Sequence, residues 1–509
     1  MASRAENAAD FLLDRHIRDG RADKIAYHEI QTGRDLSYGQ LAQGAAGVAA
    51  ALMRSGIRRE ERAAMLVLDC LEFPQIFLGA MRYGVLPVPL NTLLTAAVYD
   101  AILRDSRAAI LFVSAPLLDV VAPILADLPD LRQVVVIDGV PGGDHLSFDR
   151  WCTKTTVEPP IAVCADEPAF WLYSSGSTGQ PKGVVHVHSS LRATADTYGA
   201  QVLKIREDDW VLSAAKLFFA YGLGNALTFP LSVGASVLLF GGRPTPVDML
   251  AAINDHQPSI FCGVPTLFAS MVAQMNDAGA PRAPVRLSIS AGEALPDNVG
   301  TRWKAHMGSD ILDGVGSTEM LHIFLSNREG DVVYGTSGRA VPGYDLRLLT
   351  EDGTEAAPGE IGELLVRGAS AAATYWNQRD KSRATFEGHW TRTGDKYERR
   401  EDGRLVYCGR TDDMFKVSGI WVSPFEVEQA LTSHPAVLEA AVVAARDADG
   451  LEKPKAFVVL TGPATDGLAQ ALKDHVKQAV GKWKYPRWIE IVPDLPKTAT
   501  GKIQRFKLR

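Results

Sequence analysis

Short runs of Val, Ile, Leu and Ala recur along the first 300 residues, and segments with helical apolar spacing lie between them. Such runs are typical of strands buried on both faces, and they predict strands over residues 63–69, 108–114, 132–138, 235–240, 260–265 and 286–290. The spacing of apolar residues predicts helices over 41–55, 70–83 and 98–105. This alternation of strand and helix predicts α/β layers with largely parallel sheets.

The pattern changes after about residue 330. Gly and charged turn residues then recur at short intervals between Gly335 and Gly368, which predicts short strands and turns of a small β-barrel. Beyond residue 410 the order is helix, strand, strand, helix, strand, at 424–433, 438–445, 455–460, 468–482 and 488–492. We therefore predict a large N-terminal multi-layer α/β domain over 1–411, with two sheets plus a small β-barrel, and a small mobile C-terminal α+β domain over 412–509.

Composition narrows the class of protein. The chain has 509 residues, too many for one hydrophobic core, and its hydrophobic and charged fractions of 46% and 22% are ordinary for a globular protein. The net charge of −7 argues against a globally basic nucleic-acid binder. Residues 482–509 are the exception, with eight Lys or Arg against two Asp or Glu and hence a net charge of +6. This basic end is either a site for a polyanionic ligand or a solvated surface.

The five cysteines are scattered and form no Cys-x-x-Cys pair, so neither a disulfide framework nor a structural zinc site is indicated. Residues 1–20 lack the apolar segment of a signal peptide, and no window of 18 apolar residues occurs. We expect a cytoplasmic enzyme without a nucleic-acid or membrane partner.

The strongest chemical signal lies at 170–183, where an apolar run leads into a loop of small and hydroxylated residues. The loop comprises Ser174, Ser175, Gly176, Ser177, Thr178 and Gly179, and Lys182 follows. Glycines let backbone N–H groups approach phosphate oxygens, hydroxyls donate further hydrogen bonds, and a lysine adds positive charge. The loop is neither a Walker A motif nor Gly-x-Gly-x-x-Gly. The β-branched run at 184–187 predicts a strand–loop–strand arrangement.

This loop resembles the phosphate loop of the adenylate-forming superfamily, which contains acyl-CoA synthetases, peptide-synthetase adenylation domains and luciferases. Five further segments resemble the family's motifs in the family's order: the adenine-side strand end at 291–295, the Tyr-Gly-x-Thr-Glu motif at 316–319, the ribose-binding turn at 393–395, the hinge at 409–413 and the catalytic loop at 496–502. Val315 stands where the family commonly has an aromatic residue. Besides the loop and Lys182, the resemblance assigns nucleotide binding to Gly292, Glu293, Ala294, Asp313, Gly314, Gly316, Ser317, Asp395 and Arg410.

The resemblance implies acyl activation in two steps. A carboxylate attacks the α-phosphate of ATP to give an acyl adenylate and pyrophosphate, and the thiol of coenzyme A (CoA) then displaces AMP. Lys502 would bridge the reacting carboxylate and the α-phosphate, Thr318 would hydrogen-bond that phosphate, and Glu319 would hold Mg²⁺ (Mg2+), a cation that prefers carboxylate oxygen. Asp395 would accept both ribose hydroxyls, supported by Arg410.

The resemblance also implies rotation of the C-terminal domain about Asp412 between the two steps. One face would bring Lys502 to the site, and the other would bring the segment 416–419. Gly419 would let the pantetheine arm of CoA pass close to the backbone. Lys416 would either meet a CoA phosphate or lie on the surface.

Two segments, 216–225 and 320–324, are expected to line the acyl pocket, and both resemble benzoate-CoA ligases more than fatty acyl or acetyl enzymes. A compact slot with aromatic walls would suit a planar ring. Its candidate residues are Ala220, Tyr221, His322 and Ile323. Core packing is the competing interpretation of the aromatic residues, strongest for Phe218 and Phe219.

These observations predict an ATP-dependent aryl acid–CoA ligase acting on benzoate or a substituted benzoate. Residues 218–225 contain no acid to meet an α-ammonium group, and the chain ends seven residues after Lys502, so peptide synthesis is disfavoured. Two alternatives stay open: another acid-CoA ligase, cinnamate-like or aliphatic, and a non-catalytic nucleotide-binding relative. Candidate protein partners are a second copy of the chain and a lysine acetyltransferase and deacetylase acting on Lys502.

Overall fold

The structure is a computed structural model. It describes residues 7–139, 142, 144–153, 155–175, 181–279, 281, 285–411, 413–417, 420–447, 451–481, 483–497 and 503–509.

The strands are β1 Ile25–Glu29, β2 Arg34–Ser37, β3 Arg62–Leu66, β4 Leu86–Pro89, β5 Ala108–Ser114, β6 Gln133–Ile137, β7 Leu146–Ser147, β8 Pro168–Ser175, β9 Pro181–Val187, β10 Trp210–Ser213, β11 Ser236–Leu239, β12 Ile260–Gly263, β13 Leu287–Ala291, β14 Ile311–Gly316, β15 Ile323–Ser326, β16 Arg339–Ala340, β17 Asp345–Leu349, β18 Ile361–Arg367, β19 Thr374–Tyr375, β20 Phe386–Glu387, β21 Trp390–Arg399, β22 Leu405–Arg410, β23 Phe415–Val417, β24 Ile420–Val422, β25 Val437–Arg446, β26 Glu452–Leu460 and β27 Trp488–Ile491.

The α-helices are α1 Arg15–Arg18, α2 Tyr38–Arg54, α3 Glu72–Tyr83, α4 Ala96–Ser106, α5 Leu118–Leu125, α6 Phe148–Trp151, α7 His188–Thr194, α8 Ala220–Leu223, α9 Phe229–Val233, α10 Pro246–His256, α11 Pro265–Ala278, α12 Asp297–Met307, α13 Arg379–Thr385, α14 Pro424–Thr432 and α15 Leu468–Val480. Segments Asp10–Asp14, Ala195–Leu203 and Gly224–Thr228 are π-helical, and Ala115–Leu117 and Arg505–Lys507 are 3₁₀ turns.

Two large sheets form the N-terminal part. One has nine strands in the order β16-β15-β14-β13-β12-β10-β11-β1-β2, parallel from β14 to β1, and the other has five parallel strands in the order β4-β3-β5-β6-β7. Every residue of β5 is buried, which explains why its sequence is an apolar run rather than an alternating one. The predicted α/β layers are confirmed.

The main core lies where α2 and α3 pack against both sheets. Tyr27 of β1, Phe77 of α3 and Phe112 of β5 belong to one buried cluster. Helix α2 begins with a capping box, because the Ser37 side chain accepts from the Gln40 backbone N–H and the Gln40 side chain accepts from the Ser37 backbone N–H.

Smaller sheets follow. The region of glycine-rich turns forms an antiparallel sheet from β17, β18, β20, β21 and β22, and β8, β9 and β19 form a separate three-stranded sheet. The C-terminal part contains the hairpin β23–β24 and the sheet β25-β26-β27, on which α14 and α15 share a buried cluster. This agrees with the predicted fold class of a large α/β part and a small α+β part, while the exact boundary at residue 411 stays a prediction. No helix in the described ranges is long and apolar enough to cross a membrane.

Candidate active site

The predicted phosphate loop joins two antiparallel strands, so its strand–loop–strand arrangement is confirmed. Ser174 of β8 lies opposite Lys182 of β9 in the strand register. The Ser174 hydroxyl is buried and has no hydrogen-bond partner among the described residues. Residues Gly176, Ser177, Thr178 and Gly179 and the side chain of Ser175 lie outside the described part. The hairpin therefore offers an unpartnered hydroxyl and an ammonium group where the loop begins and ends.

Lys182, Glu319 and Tyr375 form a triangle of hydrogen bonds. Lys182 Nζ donates to Glu319 Oε1 at 3.0 Å and to the Tyr375 hydroxyl at 2.9 Å, and that hydroxyl donates to Glu319 Oε1 at 2.7 Å. The Lys182 ammonium also lies 4.3 Å from the centre of the Tyr375 ring. We call these three side chains the charged triangle.

The charged triangle keeps Glu319 ionised. Burial alone would raise the pKa of this carboxyl, but the Lys182 ammonium and the hydrogen bond from Tyr375 hold it below its ordinary value. Mg²⁺ is usually bound by one or two carboxylates together with substrate phosphates. An ionised, largely buried carboxylate beside a phosphate-loop lysine fits that donor set.

The backbone next to Glu319 is held by a buried histidine. His186 Nε2 lies 2.8 Å from the Thr318 carbonyl oxygen. Burial lowers the pKa of His186 to about 4, so the ring is neutral. A carbonyl can only accept, so Nε2 carries the proton and donates to Thr318. The hairpin β8–β9 thereby fixes both the side chain of Glu319 and the carbonyl before it.

The adenine-side candidates lie at the carboxyl ends of β13 and β14. Gly292 follows β13 with a φ of 100°, a left-handed value that favours glycine, and Glu293 and Ala294 are half-buried beside it. Asp313 on β14 is 5% exposed, and its Oδ1 has no partner in the described ranges. Burial raises the pKa of Asp313 to about 8. The structure brings these four residues to one sheet edge.

Two glycines of β14 allow β15 to approach closely. A Cβ on Gly314 would lie 2.9 Å from the Ile323 side chain, and one on Gly316 would lie 2.6 Å from the His322 carbonyl oxygen. Ser317 caps the turn between them, because its Oγ accepts from the backbone N–H of Met320 at 3.2 Å. The turn from 316 to 323 therefore carries Thr318 and Glu319 on one side and His322 and Ile323 on the other.

The ribose-side candidates face each other across β21 and β22. Arg410 Nη1 donates to Asp395 Oδ1 at 2.9 Å and to the Thr393 carbonyl oxygen at 3.1 Å. Gly394 has a φ of 71°, and a Cβ there would lie 2.9 Å from Arg410 Nη2. The turn thus holds a carboxylate and a guanidinium together, and their contact with a ribose stays a prediction.

The acyl-side candidates form a neutral aromatic cluster. The His322 ring centre lies 5.6 Å from that of Tyr221, 5.2 Å from that of Tyr198 and 4.5 Å from that of Phe229. Its Nε2 is 3.2 Å from the Tyr221 carbonyl oxygen, and a Cβ on Gly224 would meet the ring at 2.3 Å. Burial lowers the pKa of His322 to about 3, so this ring is neutral.

Tyr221 is anchored by its hydroxyl. It lies 3.2 Å from the Gly263 carbonyl oxygen and 3.0 Å from that of Ile289, and it donates to these two acceptors. Ala220 is half-buried at the start of α8, and Ile323 is 1% exposed at the start of β15. Phe218 and Phe219 pack on each other at 4.4 Å between ring centres. The structure brings Tyr221 and His322 together, and their contact with a substrate stays a prediction.

Three predicted residues, Lys502, Asp412 and Gly419, lie outside the described residues, as does the side chain of Lys416. Lys497, the last described residue at the start of the catalytic loop segment 496–502, binds Glu439 at 2.8 Å between Nζ and Oε1. The catalytic, hinge and CoA roles therefore stay predictions.

The sequence analysis did not identify Tyr375 or His186. Tyr375 pairs with Val184 in the strand register, 193 residues from its partner Lys182. No motif marks it. His186 carried a signal, because it is a polar residue inside the apolar run at 184–187, which forms a strand with both neighbouring residues buried or half-buried.

Comparisons with known proteins agree with this geometry. The profile of the AMP-binding enzyme family matches residues 13–376, and that of the AMP-binding enzyme C-terminal domain matches residues 426–502. The chain is 52% identical to a 4-hydroxybenzoate–CoA/benzoate–CoA ligase of Rhodopseudomonas palustris, over 100% of this chain and 95% of that protein. It is 53% identical to a benzoate–CoA ligase of Thauera aromatica, over 99% and 95%. A crystal structure of a benzoate CoA ligase from Burkholderia xenovorans superposes with a TM-score of 0.91 at 48% identity, over 99% of both chains.

Proposed function

The chain belongs to the AMP-binding enzyme family, and we propose that it is an ATP-dependent aryl acid–CoA ligase using Mg²⁺ and coenzyme A. It activates benzoate or a substituted benzoate as the aryl adenylate with release of pyrophosphate, then forms aryl-CoA with release of AMP. The observation that carries this assignment is the turn from 316 to 323. It places the charged triangle and the neutral aromatic cluster next to each other, as a reaction between a phosphate and an aryl carboxylate requires.

The residue roles follow from the contacts. The Ser174 hydroxyl and the Lys182 ammonium bind the phosphates, and Thr318 hydrogen-bonds the α-phosphate. Glu319 holds Mg²⁺, which neutralises phosphate charge when bound. Lys182 must then exchange Glu319 for a phosphate oxygen, and Tyr375 keeps the released carboxylate oriented.

The proposed adenosine contacts come from two pairs of adjacent strands, β21 with β22 and β13 with β14. Asp395 and Arg410 hold the ribose, and the segment 292–294 and Asp313 hold the adenine. Because burial keeps Asp313 protonated over much of the pH range, its carboxyl can donate a hydrogen bond as well as accept one. A ring nitrogen or amino group of adenine fits such a partner.

The aryl ring occupies the slot made by Ala220, Tyr221, His322 and Ile323. Neutral, aromatic surroundings bind a ring without desolvating a charge. The decisive experiment measures AMP release and thioester formation with CoA across aryl and alkyl carboxylates. We expect benzoate or a ring-substituted benzoate to be turned over fastest. Faster turnover of an alkyl acid would assign the chain to another acid-CoA ligase, and no AMP with any acid would make it a non-catalytic relative.

We also propose that Asp412 is the hinge between domains 1–411 and 412–509, with Lys502 serving adenylation and Lys416 and Gly419 serving CoA. Replacing Asp412 by Pro fixes φ near roughly −65°. The Asp412→Pro variant should retain one half-reaction and lose the other. Turnover equal to that of the wild type would refute the hinge.

Regulation and assembly complete the proposal. Acetylation of Lys502 removes its charge and should block adenylation until a deacetylase restores it. Mass spectrometry of natively expressed protein, with AMP formation measured before and after deacetylase treatment, tests this. Full acetylation with undiminished AMP formation would refute it. We also propose a cytoplasmic location, which fits the free thiols of Cys70, Cys152, Cys262 and Cys408 and is tested by cell fractionation. The proposed homodimer is tested by light scattering.

A further inference from the structure

Asp69 and Lys216 form a buried ion pair that neither the nucleotide contacts nor the ring contacts use. Asp69 is 3% exposed and follows β3, while Lys216 follows β10. Strands β3 and β10 belong to different sheets. The pair therefore links the carboxyl ends of the two large sheets, at the edge where the active site lies.

The carboxylate of Asp69 holds both the backbone and the side chain of the opposite segment. Its Oδ1 accepts from the Leu217 backbone N–H at 3.1 Å, and its Oδ2 lies 3.9 Å from Lys216 Nζ. The same ammonium donates to the Phe240 carbonyl oxygen and lies 5.4 Å from the centre of the Phe240 ring. Lys216 is thus fixed between two strand ends.

Burial makes this pair costly to maintain. It raises the pKa of Asp69 and lowers the pKa of Lys216, and the attraction between the two charges opposes both shifts. A buried ion pair adds little net stability compared with apolar side chains of similar volume. Its clearest structural consequence here is positional, because it sets where the chain at 216–217 leaves β10.

The turn that follows leads directly to the ring slot. The Lys216 carbonyl oxygen accepts from the Phe219 backbone N–H at 3.0 Å, and a Cβ on Gly222 would lie 2.0 Å from the same oxygen. Tyr221 therefore stands in the short helix α8, which packs closely on the Lys216 backbone. A shift of the Lys216 backbone would move Tyr221, and with it the carbonyl that contacts His322.

We propose that Asp69 and Lys216 are positioning residues that fix the Tyr221 wall of the ring slot and thereby set the selectivity among aryl acids. The inference rests on the proposed aryl acid–CoA ligase activity. Neither side chain touches the ring. They act through the turn from Lys216 to Phe219 and the start of α8 that follows it.

The test uses Asp69→Asn, Lys216→Met and the double variant in the full-length chain. Each single variant should raise KM for benzoate about fivefold or more while KM for ATP stays within about twofold, because only the acyl site is displaced. The kcat/KM ratio of benzoate to 4-hydroxybenzoate should also change about threefold or more. The double variant should lose less than the two single variants combined, because no unpaired charge stays buried. Lys216→Arg, which keeps the charge, should lie closer to the wild type.

The matched control is Asp14→Asn, which breaks a second buried ion pair, with Arg82, at the start of the chain. It should lower the melting temperature without changing either KM or the selectivity. Equal rises in KM for ATP and benzoate, an unchanged KM for benzoate, or the same selectivity change in Asp14→Asn would each overturn the inference. If Asp69→Asn does not fold, Lys216→Met and Lys216→Arg decide on the same criteria. If the wild type formed no aryl-CoA at all, the proposed function itself would be overturned.

Discussion

Glu319 of the charged triangle and His322 of the neutral aromatic cluster lie on the same short turn, and burial affects their charges in opposite ways. Glu319 is largely buried and stays ionised, because Lys182 and Tyr375 offset the cost of removing its charge from water. Three residues further on, His322 is buried and loses its charge, since burial lowers its pKa to about 3. One region keeps charge by pairing it, and the other excludes charge altogether.

This difference matches the two proposed substrates, ATP with its metal ion and the aryl acid. A polyphosphate and a metal ion need charged partners that can be exchanged, and the charged triangle offers an ammonium and a carboxylate that neutralise each other until those ligands arrive. An aromatic ring needs a site without ions, because a buried unpaired charge would weaken its binding. In the proposed reaction, the carboxylate of the acid would meet the α-phosphate at the boundary between the two regions.

The largest expected effect comes from removing Lys502, the cation predicted to bridge the carboxylate and the α-phosphate. Lys502→Ala should reduce adenylation about 10²-fold or more, the scale of removing one transition-state donor. Conversion of a supplied aryl adenylate plus CoA to thioester should continue. Pyrophosphate release measures the first step, and aryl-CoA formation from the adenylate measures the second. Equal loss of both steps in a folded variant would contradict the role of Lys502.

The sequence predicted the charged residues of the phosphate side better than the residue that holds them in place. Ser174, Lys182 and Glu319 stand in motifs, and the apolar runs beside the loop predicted the hairpin. Tyr375 belongs to a two-residue strand, too short for any periodicity, and its contact with Lys182 depends on how β19 pairs with β9. Contacts of this kind follow from tertiary packing and leave no local pattern.

The aromatic cluster shows the same limit. Tyr221 and His322 could be predicted as neighbours from the resemblance, but Tyr198 could not. Its helical spacing marks it as buried, whereas its contact with His322 depends on how the segment Ala195–Leu203 packs on the rest of the fold. Asp69 ends the predicted strand 63–69, whereas the strand before Lys216, β10, was not predicted, and only the packing of the two sheets brings the two residues together.

A smaller effect should follow from removing the hydroxyl of the charged triangle. Tyr375→Phe deletes a hydrogen bond to an ionised carboxylate, worth about 1.5–3 kcal/mol. KM for ATP in the presence of Mg²⁺ should therefore rise about tenfold or more, while KM for benzoate stays within a few-fold. Tyr38→Phe is the matched control, because its buried hydroxyl donates to the Ala235 carbonyl oxygen at the same 2.7 Å but lies outside the site. If both variants changed KM for ATP alike, Tyr375 would have no special role.

Truncation of the aromatic cluster should have the reverse effect, raising KM for the aryl acid more than KM for ATP. Tyr221→Ala and His322→Ala each remove a ring contact, worth about 0.5–1.5 kcal/mol beyond the buried area. KM for aryl acids should rise up to about tenfold and KM for ATP should change only a few-fold, because both side chains belong to the proposed ring slot and not to the proposed nucleotide contacts. Phe148→Ala, a buried ring packed on Trp151, serves as control for general loss of packing. An unchanged KM for the acid would mean that Tyr221 and His322 only pack in the core and do not contact the acid.

The smallest expected effect concerns the neutral state of the buried His322 ring. The pKa of His322 is about 3 in the folded chain against an ordinary value of 6.5, so between these values the unfolded chain binds the extra proton and the folded chain does not. Stability must therefore rise with pH in this range, and wild-type stability should fall by about 1 kcal/mol between pH 6.5 and 5.5 relative to His322→Gln. Melting temperatures of both proteins, measured in parallel at each pH, give the difference. His389→Gln, which replaces an exposed ring, should follow the wild type throughout. A constant gap between wild type and His322→Gln would mean that the ring carries its ordinary charge, and the contrast between the two regions would be lost.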